Sequence, residues 1–340
     1  MNAIDLIIIV CYLCTILSIG FYTRKYVSDF SDFMVAGRNV NLSLAVVTML
    51  GTELGLITVM YNAQTGVNNL FASFHIGLAA FIVTLFIGLT GFVIVKLREM
   101  RVKSIPEYYN LRFGKKVRIL GAVLLCLGGI LNMGLFLRVG ATFIQTVFSF
   151  NHDTIIIIMG VLLILVLIYT MLGGMISVII TDYIQYVILS IGFLVSIFFS
   201  IQYLGWSDIF IQIENISIEK KNISMNEIYN PIQNKGFAYV SWQVVLGFVS
   251  AVIWPTAITR ALSIKSVDMV KKQYIWSSFS FLIRFIVPCF LGICAYIYFN
   301  TEPNILEGYS SLSLMPLYLS QILPIGFLGL VVAGMIAAFM

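Results

Sequence analysis

Charge is scarce in this sequence. Asp, Glu, Lys and Arg supply only 10% of its 340 residues, whereas 60% are hydrophobic and the mean hydropathy is +1.00. A soluble chain of this length needs far more polar surface, and a disordered one far fewer large apolar residues, so both classes are excluded. Histidine is rarer still. His75 and His152 stand far apart with no second ligand nearby, which gives a resident metal centre no donor set. The five cysteines, Cys11, Cys14, Cys126, Cys289 and Cys294, all fall in apolar stretches, where they read as small packing residues and not as a disulfide framework. No glycine-rich phosphate loop, nucleophile elbow or metal-spaced His pair occurs. The sequence is therefore not read as an enzyme, and no organic cofactor is expected.

What the sequence has is long apolar runs. About 20 apolar residues cross roughly 30 Å of hydrocarbon, and nine stretches qualify: 4–23, 41–66, 71–97, 118–149, 154–172, 176–203, 239–262, 274–299 and 324–340. The expectation is an all-α integral membrane protein, and these stretches are its spans 1 to 9. With Met1 outside, the inner surface receives Arg24, Lys25, Arg38, Lys96, Arg98, Arg101, Lys103, Arg112, Lys115, Lys116, Arg118, Arg260, Lys265, Lys271 and Lys272. Only Lys220, Lys221 and Lys235 lie outside, while Arg138 and Arg284 fall within spans. This is the positive-inside distribution of a multi-pass protein of the cell membrane with its N-terminus outside. The net charge of +5 is thus an orientation signal and not a nucleic-acid footprint. The outer loop 204–238 balances Asp208, Glu214, Glu219 and Glu227 against its lysines, as a solvated connection should, and carries Asn215-Ile-Ser and Asn222-Ile-Ser, which match the glycosylation acceptor pattern.

Two spans are interrupted. Thr48-Met-Leu-Gly-Thr-Glu-Leu-Gly55 sets two glycines, two threonines and a carboxylate in span 2, and Gly247, Ser250 and Trp254-Pro-Thr-Ala257 do the same for span 7. A broken helix frees backbone carbonyls, which suit a hard monovalent cation. Glu53 lies well inside a span, where an unpartnered carboxylate is costly. Arg138 is equally deep, and two readings stay open for it: contact with an anionic substrate, or a structural pair with Glu53 or a carbonyl. Arg284 is within snorkelling reach of the inner surface. Asp182 opens span 6, either as a helix cap or on an ion exit path. Gly128, Gly129, Gly134 and Gly140 read as close-packing positions between helices. Ser104-Ile-Pro-Glu predicts a helix start in the inner segment.

Taken in order, these segments resemble the sodium:solute symporter family. The resemblance is carried by Asp32-Phe-Met-Val-Ala-Gly-Arg38, Gly51-Thr-Glu-Leu-Gly55, Ser104-x-Pro-Glu-Tyr with Arg112-Phe-Gly114, Tyr169-Thr-Met-Leu-Gly-Gly-Met-Ile-Ser177, Thr181-Asp-Tyr-Ile-Gln185, Arg260-Ala-Leu-Ser263 and Leu323-Pro-Ile-Gly-Phe-Leu-Gly-Leu330. It implies a LeuT-like (APC-type) inverted-repeat fold with one extra N-terminal helix. Residues 1–40 are then the extra helix and inner loop, 41–203 the first five-helix repeat, 204–238 the outer loop and 239–340 a partial second repeat, all within one transporter domain. It also implies sodium as coupling ion, held by the backbone carbonyls of Val47, Leu50 and Ala338, with Asp182 at the inner acidic position associated with sodium release.

The partners so implied are sodium, a small-molecule substrate and the lipid bilayer. Where the family's sugar carriers place Gln, Glu and Asn, an ungapped comparison finds Leu54, Ser73 and Gly247. An organic anion or amino acid is therefore favoured over a sugar, with Arg138 facing its carboxylate and Thr52, Glu53, Ser250 and Trp254 as further candidate contacts. The family's remaining cation ligands are hydroxyls directly after the stretch equivalent to 337–340, so the sequence reads as a C-terminally truncated symporter. A sensor built on the same fold, or an inactive fragment, are the competing readings.

Overall fold

The computed structural model describes residues 1–23, 40–221, 223–301 and 309–338. Arg24, Lys25, the Asp32-to-Arg38 segment, Asn222, Phe339 and Met340 lie outside the described residues, as do the side chains of His152, Glu219, Lys220, Lys221 and 169–177. Among the described residues the chain is helical throughout its regular structure, with one backbone bridge between Val40 and Ile264.

The first span is α1 (Ala3–Thr23). Span 2 divides into α2 (Leu42–Glu53) and α3 (Leu56–Asn69). Asn41 starts α2 by accepting the Leu44 N–H at 3.0 Å, and the helix stops where Leu54 (ψ 51) and Gly55 (ψ 157) leave helical geometry. A 3₁₀ turn at Leu70–Phe74 leads into α4 (His75–Thr90), which ends on left-handed Gly91 (φ 72). The connection that follows forms α5 (Ile94–Glu99) and α6 (Ile105–Phe113), and Ser104 caps α6 as its motif predicts. Next come α7 (Lys115–Phe148) and α8 (Ile155–Leu204). The outer segment holds α9 (Trp206–Lys221), α10 (Met225–Tyr229) and α11 (Pro231–Lys235). Span 7 bends by 45° between α12 (Phe237–Ile253) and α13 (Pro255–Leu262), where Pro255 begins the second half. The chain continues through α14 (Val267–Thr301), α15 (Leu314–Ile322) and α16 (Phe327–Ala337).

Three sequence expectations change. Spans 5 and 6 are one helical run of 50 residues, α8, with no turn at 173–175. The outer loop is not merely a solvated connection: Ile209, Ile213 and Ile228 are fully buried, and Phe71 stacks on Phe210 (5.0 Å) and Tyr229 (5.5 Å), so apolar burial folds it onto the helix ends. Gly128, Gly129 and Gly134 face open space, because periodicity alone does not say which face of α7 meets a neighbour. By length and composition, four described stretches can cross a membrane, Leu56–Thr90, Lys115–Phe148, Val178–Leu204 and Val267–Thr301, and the bent α12–α13 pair makes a fifth. The breaks leave shorter apolar pieces, such as the 12 residues of α2, about 18 Å at helical rise, in place of uniform spans.

Helix α14 lies at the centre of the packing. Its Gln273 amide donates to the Ala45 carbonyl of α2 at 2.7 Å, and its Tyr274 hydroxyl to the Ala251 carbonyl of α12 at 3.0 Å. Against α3 it makes backbone contact: a Cβ at Gly66 would strike the Cys289 carbonyl, and one at Gly292 the Ala63 carbonyl. Gly292→Ala should therefore lower stability by about 1–3 kcal/mol through overpacking. The measurement is the melting temperature of the purified protein in detergent, and an unchanged value would mean that α3 and α14 are not in contact there.

Candidate functional site

Where α2 stops inside the membrane, its last carbonyls lose their helical partners. The Leu50 carbonyl is the last to keep its helical partner, the Leu54 N–H at 2.8 Å, whereas the Gly51 carbonyl turns to the Gln185 amide of α8 at 3.1 Å. Arg284 of α14 reaches the Glu53 carbonyl at 2.5 Å. Opposite the break, the Ala338 carbonyl after α16 accepts the N–H of Leu56, the first residue of α3, at 3.3 Å. Span 9 thus meets span 2 at its interruption.

Span 7 meets it there as well. Glu53 accepts from the Thr256 hydroxyl at 3.2 Å and from Arg284 Nη1 at 3.1 Å. The Arg284 and Glu53 side chains are only 11% and 14% exposed. Thr256 is the second residue of α13, so the Glu53 carboxylate joins the end of one half-helix to the positive end of the other. The Arg284 guanidinium also lies over Phe281 (4.2 Å) and Phe285 (4.6 Å). This corrects the snorkelling reading of Arg284: the packing of α14 against α2 brings it to Glu53, and a buried carboxylate needs a cation within a few ångströms. Glu53 is paired with Arg284, not Arg138.

A second polar cluster lies beside the break. Asp182 of α8 is buried and accepts from the hydroxyls of Thr48 and Thr52, the latter at 2.9 Å, and from Arg260 Nη2 of α13 at 3.4 Å. Thr48 and Thr52 are one turn apart on α2, and Gly51 between them lets the helices touch: a Cβ there would stand 2.7 Å from the Asp182 carbonyl oxygen. Thr52, Asn132, Asp182, Thr256, Arg260 and Ala338 line a cavity of about 270 Å³. Nearby, the Val40 N–H donates to the Ser263 carbonyl (3.2 Å) and the Lys265 N–H to the Val40 carbonyl (3.1 Å). Arg98 clamps the Ile264 carbonyl through Nε (2.9 Å) and Nη2 (2.6 Å).

The residues named from sequence thus separate into groups. Leu50, Thr52, Glu53, Asp182 and Ala338 surround the break. Val47 is half-buried on α2, beside Leu50 along an open groove with Tyr186 and Trp276. Arg138 is exposed on α7 and lines another cavity of about 650 Å³, with Tyr61, Thr142, Gln145, Tyr309 and Ser313. Trp254 is half-buried at the bend of span 7, and Ser250 is exposed on α12, donating to the Gly247 carbonyl at 3.0 Å. Sequence reasoning missed the partnerships of Arg284 and Arg260. The available signal was scarcity, because a chain this poor in charge places ions in its spans in opposite-sign pairs.

Comparison with known proteins follows the same lines. The model of the sodium:solute symporter family matches residues 33–340. The sodium/sialic acid symporter NanT of Aliivibrio fischeri is 26% identical over 351 residues, covering 99% of this chain and 66% of that protein. The human sodium/myo-inositol cotransporter is 24% identical over 380 residues, covering 100% of this chain and 52% of its own length. The chain therefore spans about half to two thirds of the length of these relatives. A solved structure, the substrate-bound outward-open state of a Na+-coupled sialic acid symporter, shares the fold with a TM-score of 0.84 at 20% identity, covering 99% of this chain and 71% of that one. The chain belongs to the sodium:solute symporter family.

Arg284→Met should leave Glu53 buried and unpaired, a loss of about 3–5 kcal/mol, and adding Glu53→Gln should recover much of it. Thermal unfolding of the single and double variants checks this. A double variant no more stable than Arg284→Met would show that the two side chains do not pair.

Proposed function

We propose that, in the whole protein, this member of the sodium:solute symporter family is a sodium-coupled carrier that takes up a small organic solute by alternating access. The observation that carries the reading is the meeting of two interrupted spans at Glu53 and Thr256, with the Ala338 carbonyl against the same break. Sodium is a hard cation that takes oxygen ligands. The carbonyls of Leu50 and Ala338 each accept one N–H and keep a second lone pair for an ion. Val47 adds a third carbonyl, and Asp182 receives the ion on its way inward. Glu53, already engaged by Arg284 and Thr256, holds the two half-helices together.

In this reading 41–203 is the first five-helix repeat, 239–340 opens an inverted second one, and 1–40 adds the extra helix and inner loop. The protein sits in the cell membrane with its N-terminus outside. The solute is an organic anion or amino acid. Support comes from the larger cavity, whose described lining supplies one cation, Arg138, and no carboxylate. An arginine fork matches a carboxylate geometrically, and sialic acid, named for two of the relatives, is such an acid. Thr52 lies deeper, while Ser250 and Trp254 flank the bend of span 7 and reach the solute as that span moves. A membrane potential of 100 mV supplies about 2.3 kcal/mol per charge, enough for roughly fifty-fold accumulation per sodium ion.

Uptake of carboxylate-bearing solutes into proteoliposomes holding the whole protein tests this, with an inward sodium gradient compared with a potassium gradient. Sodium should support uptake and potassium should not; equal uptake with both overturns the proposal. Arg138→Gln should raise the KM for an anionic solute about tenfold or more, as expected for a lost charge-assisted hydrogen bond. An unchanged KM removes Arg138 from the solute site.

A further inference from the structure

The extra helix α1 carries a buried carboxylate that the account above leaves unused. Asp5 is 2% exposed and stands in the first turn of α1. Its Oδ1 accepts two backbone N–H groups from the far end of the sequence, those of Gly326 at 2.8 Å and Gly329 at 2.9 Å, while Oδ2 takes the Asn2 N–H at 3.0 Å. Gly326 is the residue that precedes α16, at φ 89, and it has no side chain with which to cap the helix. Asp5 supplies from another helix the acceptor that a Ser or Asp would ordinarily provide at that position. Its charge also lies at the positive end of the α16 dipole. The two backbones touch: a Cβ at Gly329 would stand 2.6 Å from the Asp5 Cα.

The opposite end of α16 leads to Ala338, whose carbonyl bonds Leu56 at the break of span 2. An 11-residue helix is about 16 Å long, so α16 acts as a strut fixed by Asp5 at one end and by the break at the other. We propose that Asp5 is a positioning residue for the cation site, setting the axial position of α16 and with it the Ala338 carbonyl oxygen. The inference rests on the reading of that oxygen as a sodium ligand. It gives the additional N-terminal helix a role in cation affinity.

The test is equilibrium binding of radioactive sodium to the purified whole protein, with melting temperature measured in parallel. Asp5→Ala should raise the sodium concentration for half-saturation about tenfold, equivalent to about 1.4 kcal/mol. Asp5→Asn keeps an acceptor oxygen and loses the charge, and it should raise that concentration by only about two- to fivefold. A fall in melting temperature with unchanged half-saturation in Asp5→Asn overturns the positioning role, whether or not Asp5→Ala survives purification. Wild-type protein that binds no sodium would instead overturn the cation-site reading itself.

Discussion

A helix that stops within hydrocarbon must pass its orphaned backbone groups to other polar atoms, because lipid offers none. At the end of α2 this constraint draws in four other parts of the chain. Gln185 comes from α8, Arg284 from α14, Thr256 from α13 and the Ala338 carbonyl from the end of α16. Three of these contacts satisfy backbone groups at the break, Thr256 instead binds the Glu53 carboxylate beside it, and together they bring distant elements to one place. The concentration of oxygen atoms there follows from the interruption.

The two buried ion pairs beside the break are not equivalent. Glu53 and Arg284 are close, and the arginine also binds a carbonyl and stacks on two phenylalanines. Asp182 and Arg260 are 3.4 Å apart, with no aromatic ring over that guanidinium among the described residues; the Nε of both arginines is buried there without a hydrogen-bond partner. A buried pair contributes little net stability relative to an apolar replacement, whereas removing one member is severe. Such pairs therefore specify an arrangement more than they strengthen it. The tighter pair ties the end of α2 to α14. The looser one holds α13 to α8, where Asp182 is already shared with two threonines.

Much of this was legible in the sequence because membrane segments write their rules plainly. Glycine with polar residues in 48–55, and proline in 254–257, marked the two interruptions, and the capping pattern at Ser104 marked a helix start. The pairings were less legible. Hydropathy says that Glu53 needs a cation but does not rank Arg138 against Arg284, since the answer depends on which faces of α7 and α14 turn toward α2. The same ambiguity misassigned Gly128, Gly129 and Gly134 of α7, though Gly140 is buried, while Gly66 and Gly292 made the closest approaches. Asp5 carried no signal for its link to α16, because the two N–H groups it accepts there are more than 320 residues away.

The glycine-mediated approach of α3 to α14 sets which parts of the molecule can deform. With carbonyl oxygens seated at Gly66 and Gly292 where side chains would normally intervene, these two helices touch backbone to backbone at those points, and relative sliding there would force backbone through backbone. They form a stiff slab, and Gln273, Tyr274 and Arg284 fasten the shorter half-helices to it.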